Sequence, residues 1–202
     1  MQNKQRCKWC NLKNEKYIKY HDEEWGILNL NEQYLFEMLI LESFQAGLFE
    51  MLILESFQAG LSWECILNKR EDFREAFDNF NIEKICTYDD KKVEKLWKNE
   101  KIIRNRLKIK ATINNAKIFK NIQKECGSFR EYIENFSKGQ IFFEIDKTTS
   151  KLSDEISKDL QKRGMKFVGS TIIYSYLQAI GIIYSHDKEC YKYENKESFY
   201  EK

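Results

Sequence analysis

The chain has 202 residues, enough for one domain with a real core, and its 42% hydrophobic and 33% charged residues are those of an ordinary globular protein. A formal net charge of +2 excludes recruitment of nucleic acid by bulk charge, so any such contact must come from a local patch. No apolar run approaches the roughly 20 residues that span a bilayer. The opening MQNKQRCKWCNLKNEKY has no apolar stretch of the kind a signal peptide carries, and the six cysteines are scattered rather than set out as a disulfide framework. A single domain over residues 1–202, cytoplasmic and without membrane contact, is expected.

In chain order the pattern is helical almost throughout. There is no proline and there are only 8 glycines, so few segments are forced to break. Helices are predicted over 14–24, 32 to about 57, 61–69, 72–77, 82–87, 90–98, 104–125, 128–136, 154–162 and 170–180. Within 104–125, Leu107, Ile109, Ile113, Ala116, Ile118 and Phe119 recur near helical spacing and predict a buried stripe. Residues 141–145 could form a short strand, but no set of alternating runs supports a sheet. The polar 146–154 reads as a surface connection. The fold class is all-α.

One feature stands apart. Leu35–Gly47 reads LFEMLILESFQAG, and Leu48–Gly60 repeats it letter for letter. No repeat architecture has so short a period in two identical copies, which points to an in-frame duplication or a sequence error. In a continuous helix a step of this length rotates the chain by about 220° beyond whole turns. The two copies therefore cannot present the same face to one core. One occupies the native slot; the other must extend, loop out or find a new surface.

The chain has two histidines. His186 and Cys190 lie at i and i+4 in HDKEC, one face of a helical turn. His21 and Cys7 lie near the other end. Two Cys and two His can make a closed tetrahedral site of the structural zinc type, tying the chain ends together; Cys10, two residues beyond Lys8 in RCKWC, offers an alternative ligand or a redox pair. Trp9, Tyr17, Tyr20, Trp25 and Trp63 are aromatic faces that suit either core packing or stacking on an extruded, positively charged base. Glu42 and Glu55 each interrupt an apolar helix, where a carboxylate is partnered, functional or turned to solvent. Near the C-terminal end, KRGMKFVGSTIIYSYLQAIG reads as helix, glycine-bounded hairpin, helix. A helix N-terminus there favours an anion, and Lys162, Arg163 and Lys166 supply local positive charge.

Together RCKW, YIKYHDEEWG, LFEMLILESFQAGLSW, KRGMKFVGSTIIYSYLQAIG and the terminal H-x-x-x-C closely resemble the DNA-3-methyladenine glycosylase I family, in family order from Arg6 to Cys190. The resemblance implies an all-α, helix-hairpin-helix DNA glycosylase-like fold, with zinc joining N- and C-terminal segments. It implies hydrolysis of the N-glycosidic bond of 3-methyladenine in alkylated double-stranded DNA by base flipping, leaving an abasic site. By position, Cys7, His21, His186 and Cys190 correspond to the ligands of one structural zinc. Tyr20 and Trp63 correspond to stacking walls, with Trp9, Tyr17 and Trp25 lining the pocket. Leu61 corresponds to the residue that fills the gap left by extrusion. Arg163, Gly164, Lys166, Gly169 and Ser170 make up the DNA-facing hairpin.

The catalytic-pocket glutamate matches Glu55 counted back from Leu61-Ser62-Trp63, and Glu42 counted forward from Trp25. Glu55 is favoured, because copy two stays joined to the pocket wall while copy one can be displaced into the loop before the helix. Methylation at N3 makes adenine a cationic leaving group. The pocket therefore needs electron-rich walls and an acceptor for the adenine edge more than strong acid catalysis. A monomer is expected. The competing readings are a damaged-DNA binder of the same fold, impaired by the duplication, and a zinc-stapled helical interaction module whose aromatics are core.

Overall fold

The computed structural model describes the backbone of residues 4–27 and 38–193, and the side chains of 4–27 and 46–193. Among the described residues ten α-helices follow in order: α1 (Glu15–Glu23), α2 (Met38–Gln58), α3 (Trp63–Asn68), α4 (Arg70–Ala76), α5 (Ile82–Cys86), α6 (Asp90–Lys98), α7 (Arg106–Cys126), α8 (Phe129–Ser137), α9 (Lys151–Lys162) and α10 (Ser170–Ala179), with a short 3-10 turn at Asp78–Phe80. The expected helices all appear within a few residues of their predicted ends, apart from positions 32–37, which lie outside the described residues. The all-α expectation needs one small amendment. β1 (Phe142–Phe143) and β2 (Ile183–Tyr184) pair in parallel, Phe142 opposite Ile183 and Phe143 opposite Tyr184. Two residues per strand are too few to leave a periodic signal.

Local chemistry sets most helix ends. Asn14, Ser62, Asn81, Asp89, Asn105, Ser128 and Ser150 each cap an N-terminus with a side-chain oxygen, satisfying amides that have no partner within the helix. At the far end of α7, Gly127 takes φ +87°, a conformation that suits glycine and stops the helix. Helix α2 runs through the middle of the molecule against α10, α7 and α3. Its Phe57 ring meets Phe73 at 4.8 Å and Phe77 at 6.2 Å, all three fully buried. Each such ring contributes about 2–3 kcal/mol by leaving water.

Copy two packs into the core. Leu48, Phe49, Met51, Leu52, Ile53, Leu54 and Phe57 are buried, and the polar residues between them find specific partners. Glu50 accepts from Arg70 Nε at 2.7 Å and Arg74 Nε at 2.9 Å, and Ser56 Oγ donates to the carbonyl of Phe167 at 2.9 Å. The expectation that copy one is displaced into the loop before the helix is corrected. From Met38 to Gly47 the backbone is helical and continuous with copy two, so this part of copy one extends α2 at its N-terminal end. The side chain of Glu42 lies outside the described residues.

The stripe on α7 also needs correction. Ile109, Ile113, Ala116 and Phe119 are buried and Ile118 is half-buried, but Leu107 is 72% exposed. It sits in the first turn, on the side away from the core. The buried face of α7 instead includes Lys108, Thr112 and Asn115, three polar residues at helical spacing.

Candidate active site, metal centre and hairpin

The elements that carry the aromatic residues are tied together by polar contacts. Asn14, the cap of α1, donates to Glu64 Oε1 at 2.9 Å and to Asn68 Oδ1 at 3.0 Å, and Asn11 donates to the same Glu64 oxygen at 2.8 Å. Glu64 is the second residue of α3, so this clamp holds Trp63 against α1. The Tyr20 and Trp63 rings meet at 5.2 Å, Trp9 meets Trp25 at 4.8 Å and Tyr17 at 5.7 Å. These five rings, with Glu55, Gln58, Ser175 and Gln178, line a cavity of roughly 350 Å³. All five predicted lining aromatics therefore converge on one cavity, which is the size of an ordinary small-molecule site.

Glu55 is only 3% exposed. Its Oε2 has no hydrogen-bond partner, and neither has the buried Nε1 of Trp63 in the same cavity. Burial alone pushes the Glu55 carboxyl up to about 8. Leaving two such groups unpaired is costly in a folded interior, and each costs about 1–3 kcal/mol unless a ligand meets it. One wall thus presents a carboxyl and another an N–H donor, with aromatic faces between. The arrangement suits a flat, polar-edged, positively charged ring.

The two chain ends meet at a second cluster. The ligand atoms of Cys7, His21, His186 and Cys190, all buried, lie within 4.8 Å of one another. Cys7 Sγ is 3.4 Å from His186 Nδ1, and Cys190 Sγ is 3.4 Å from His21 Nε2 and 3.6 Å from His186 Nδ1. Zinc bonds of about 2.3 Å to sulfur and 2.0–2.1 Å to nitrogen, set tetrahedrally, imply S···N edges of about 3.6 Å. The donor set therefore fits a four-coordinate metal ion. Cys10 does not join it; its thiol reaches the carbonyl of Tyr17 at 3.8 Å.

The surroundings prepare the same four atoms. Arg6 grips Asp22 with two hydrogen bonds of 2.8 and 2.7 Å, and Asp22 Oδ1 lies 2.8 Å from His21 Nδ1, which turns Nε2 toward Cys190. Such an outer carboxylate fixes the ring and its tautomer. Burial lowers the pKa of both imidazoles, that of His186 to about 4, so both rings are held neutral. Backbone amides of Asp187 and Lys192 point at the sulfurs of Cys7 and Cys190. Gly26, at φ +71°, lies where an added Cβ would sit 3.2 Å from His186 Nε2, so only glycine lets this ring approach comfortably.

The hairpin between α9 and α10 is present, with Gly164 at φ +96° and Gly169 capping α10 without a side chain. Its residues differ in what they leave available. Lys166 is exposed and pairs with no carboxylate among the described residues. Arg163 is not a free cation: it donates to Asp159 at 2.7 Å and Glu125 at 2.6 Å, and lies over the Tyr132 ring. The Ser170 hydroxyl turns back to Asp154 and Ser153 Oγ. Leu61 is 41% exposed, at the tip of the turn that follows α2.

The sequence matches the methyladenine glycosylase family model over residues 9–48 and again over 47–193. The chain belongs to the methyladenine glycosylase family. The two matched stretches meet at the junction of the two copies of LFEMLILESFQAG, where the family pattern is interrupted by the additional copy. The chain is 38% identical over 193 residues to DNA-3-methyladenine glycosylase 1 of Escherichia coli (strain K12), covering 92% of this chain and 95% of that one. It is 34% identical over 192 residues to the Haemophilus influenzae DNA-3-methyladenine glycosylase, covering 92% and 96%. Among solved structures it resembles a 3-methyladenine DNA glycosylase I with TM-score 0.82 and 38% identity over 94% of this chain and all of the other. It also resembles the Staphylococcus aureus enzyme, whose structure describes recognition of 3-methyladenine, with TM-score 0.79 and 30% identity over 91% and 95%.

Sequence reasoning missed the residues that hold the hairpin between α9 and α10 in place. Asn115 on α7 accepts from the Lys166 amide at 2.9 Å and donates to its carbonyl at 2.8 Å. Asn114 donates to the Gly164 carbonyl at 2.9 Å, and Ser157 to the Val168 carbonyl at 2.7 Å. The available signal was a polar residue recurring on an apolar helix face, where burial requires a partner.

Proposed function

We propose that this chain is a DNA glycosylase that excises 3-methyladenine from alkylated double-stranded DNA, acting as a monomer and leaving an abasic site. The observation that carries the reading is the pair of unpartnered polar atoms, Glu55 Oε2 and Trp63 Nε1, in a cavity walled by Trp9, Tyr17, Tyr20 and Trp25. An adenine edge offers both a donor and an acceptor, and the N3-methylated ring carries the positive charge that a buried carboxylate lacks here. When the cationic base enters, the Glu55 carboxylate gains its missing counter-charge and its proton leaves. The aromatic faces add cation–π attraction. Both effects are stronger for the charged lesion than for neutral adenine, so they favour the damaged base and stabilise cationic character as the glycosidic bond breaks. A damaged base also costs less to unstack.

Leu61 is assigned to the gap left by extrusion, as an exposed apolar side chain at a turn tip two residues before α3 and its pocket tryptophan. Gly164, Lys166, Gly169 and the open N-terminus of α10 are assigned to the phosphate backbone. Arg163 and Ser170 support that hairpin from within, through Asp159, Glu125, Asp154 and Ser153. Cys7, His21, His186 and Cys190 are assigned to one zinc ion. Four protein ligands leave no open position, so its part is structural: it joins α1 and the segment before it to the segment after β2, beside the pocket. Among the described residues no helix is long and apolar enough to cross a membrane. All six cysteines are free, which suits a reducing cytoplasm.

Chromatographic release of 3-methyladenine from methylated duplex DNA tests the reading. Release by the full chain is expected, with Glu55→Gln strongly slowed. Binding to the same DNA without release of any base would overturn it.

A further inference from the structure

Lys108 is 6% exposed on the buried face of α7. Its ammonium donates to the carbonyl of Phe57 at 2.9 Å and to that of Ala59 at 2.7 Å. These groups end α2, whose last turn contains no basic residue of its own. A cation there satisfies orphan carbonyls and opposes the negative end of the helix dipole. The two carbonyls flank Gln58, which lines the pocket, and lead into the turn closed by Leu61 N–H donating to Gln58 O at 2.6 Å. Gly60, at φ +84°, makes that turn possible.

The same ammonium lies 5.8 Å from the ring centre of Phe167, within cation–π reach. Phe167 holds φ +56°, a conformation a bulky residue rarely adopts, and its carbonyl is gripped by Ser56 of α2. It is 37% exposed, as Leu61 is 41% and the neighbouring Leu107 72%. One buried lysine therefore touches both segments assigned to DNA, the turn tipped by Leu61 through the Ala59 carbonyl and the hairpin carrying Lys166 through the Phe167 ring. An apolar residue at 108 could pack against α2, but it could not bridge the two carbonyls.

We infer that Lys108 is a positioning residue that locks the Leu61 turn and the Phe167 hairpin into one rigid DNA-reading surface, so that insertion of Leu61 is in register with the hairpin's hold on the backbone. This rests on the glycosylase reading above. Lys108 does not itself reach DNA, because its ammonium is enclosed. Its loss should leave non-specific attraction intact and damage discrimination.

The test compares the full-length wild type with Lys108→Met, Lys108→Arg, Leu61→Ala and the Lys108→Met/Leu61→Ala double variant. Four quantities are read: binding of free 3-methyladenine, binding of undamaged duplex against salt, preference for abasic-site duplex over undamaged duplex, and single-turnover base release. For Lys108→Met, free-base binding and the salt slope should stay within about twofold of wild type. Abasic-site preference and release should fall about tenfold or more, with partial recovery in Lys108→Arg. In the Leu61→Ala background Lys108→Met should add less than about twofold, since residues acting through one another are not additive.

Loss of free-base binding alongside release would make Lys108 merely structural and overturn the inference. So would a salt slope lowered by about one, the mark of a direct phosphate contact. Full additivity with Leu61→Ala, or no loss of preference, would also overturn it. If Lys108→Met does not fold, Lys108→Gln, which retains a donor, carries the same comparison against Leu61→Ala. A wild type that releases no base sinks the glycosylase reading as well; an active wild type with an unimpaired Lys108→Met sinks this inference alone.

Discussion

Glu55 offers the sharpest test, because burial without a partner predicts opposite effects on stability and function. Its carboxyl is pushed from the ordinary 4.5 up to about 8 by removal from water. Between those values the folded chain holds a proton that the unfolded chain has released. Stability contributed by this group is therefore fully present at acid pH and is lost as pH rises toward about 8, where it levels off. The full difference corresponds to about 5 kcal/mol, and about 3 kcal/mol of it is already lost at pH 7. Glu55→Gln keeps the shape and removes the titration.

Urea denaturation of both proteins at pH 5, 6, 7 and 8 reads the effect directly. The variant should be the more stable protein, its advantage growing by about 3 kcal/mol from pH 5 to pH 8. Taking the difference between the two cancels the titration of groups they share. The same substitution removes a charge-assisted hydrogen bond to the base, worth about 1.5–3 kcal/mol. Affinity for 3-methyladenine, measured by calorimetry, should therefore drop about tenfold or more. A stability difference that does not change with pH would refute the claim that Glu55 is buried without a counter-charge. Unchanged base affinity would remove it from the site.

The metal centre predicts one zinc per chain by elemental analysis. His21→Ala or Cys190→Ala should lose the metal and several kcal/mol of stability, as should a strong chelator, since metal binding and folding are coupled; full zinc retention after either change would count against the ligand set. Deleting Leu35–Gly47 should leave the melting temperature and base release near those of the full chain, with Glu42→Gln silent in release; the opposite outcome, in which Glu42→Gln stops release, would put copy one in the pocket. Asn115→Ala strips both partners from the Lys166 backbone and should cost about 2–3 kcal/mol in urea denaturation; a change under half that would mean the hairpin holds itself.

How much of this was legible in the sequence depends on what each residue needs. Helix positions were readable because periodicity and the scarcity of breakers act locally. The metal set was readable as residue types, since only two histidines exist, but spacing alone could not exclude Cys10; the choice comes from how the two ends pack. The five pocket aromatics were readable only through their motif neighbours, because a buried tryptophan looks the same in a core as in a cavity. The exposure of Leu107 and the ion pairs of Arg163 went unread for a shared reason. A hydropathy stripe cannot say that a helix's first turn projects beyond the core, and a count of cations cannot show that Glu125 and Asp159 have already paired one of them.

The repeat shows why the rest required tertiary structure. Both copies have identical propensities, so nothing local distinguishes Glu42 from Glu55. What distinguishes them is how each is joined to the rest of the chain. Arg70 and Arg74 must meet Glu50, the Phe167 carbonyl must meet Ser56, and Lys108 must meet the carbonyls of Phe57 and Ala59. Yet a slip by one copy, about 20 Å along the axis, would offer an identical set of side chains and carbonyls to these same partners. Covalent continuity through Leu61 and Ser62 to Trp63 makes the choice, because only copy two can end where α3 begins. The register is therefore chosen by chain connectivity and held by polar contacts at the margins of an apolar helix. Those contacts hold the pocket carboxyl, the hairpin and the exposed leucine in one frame.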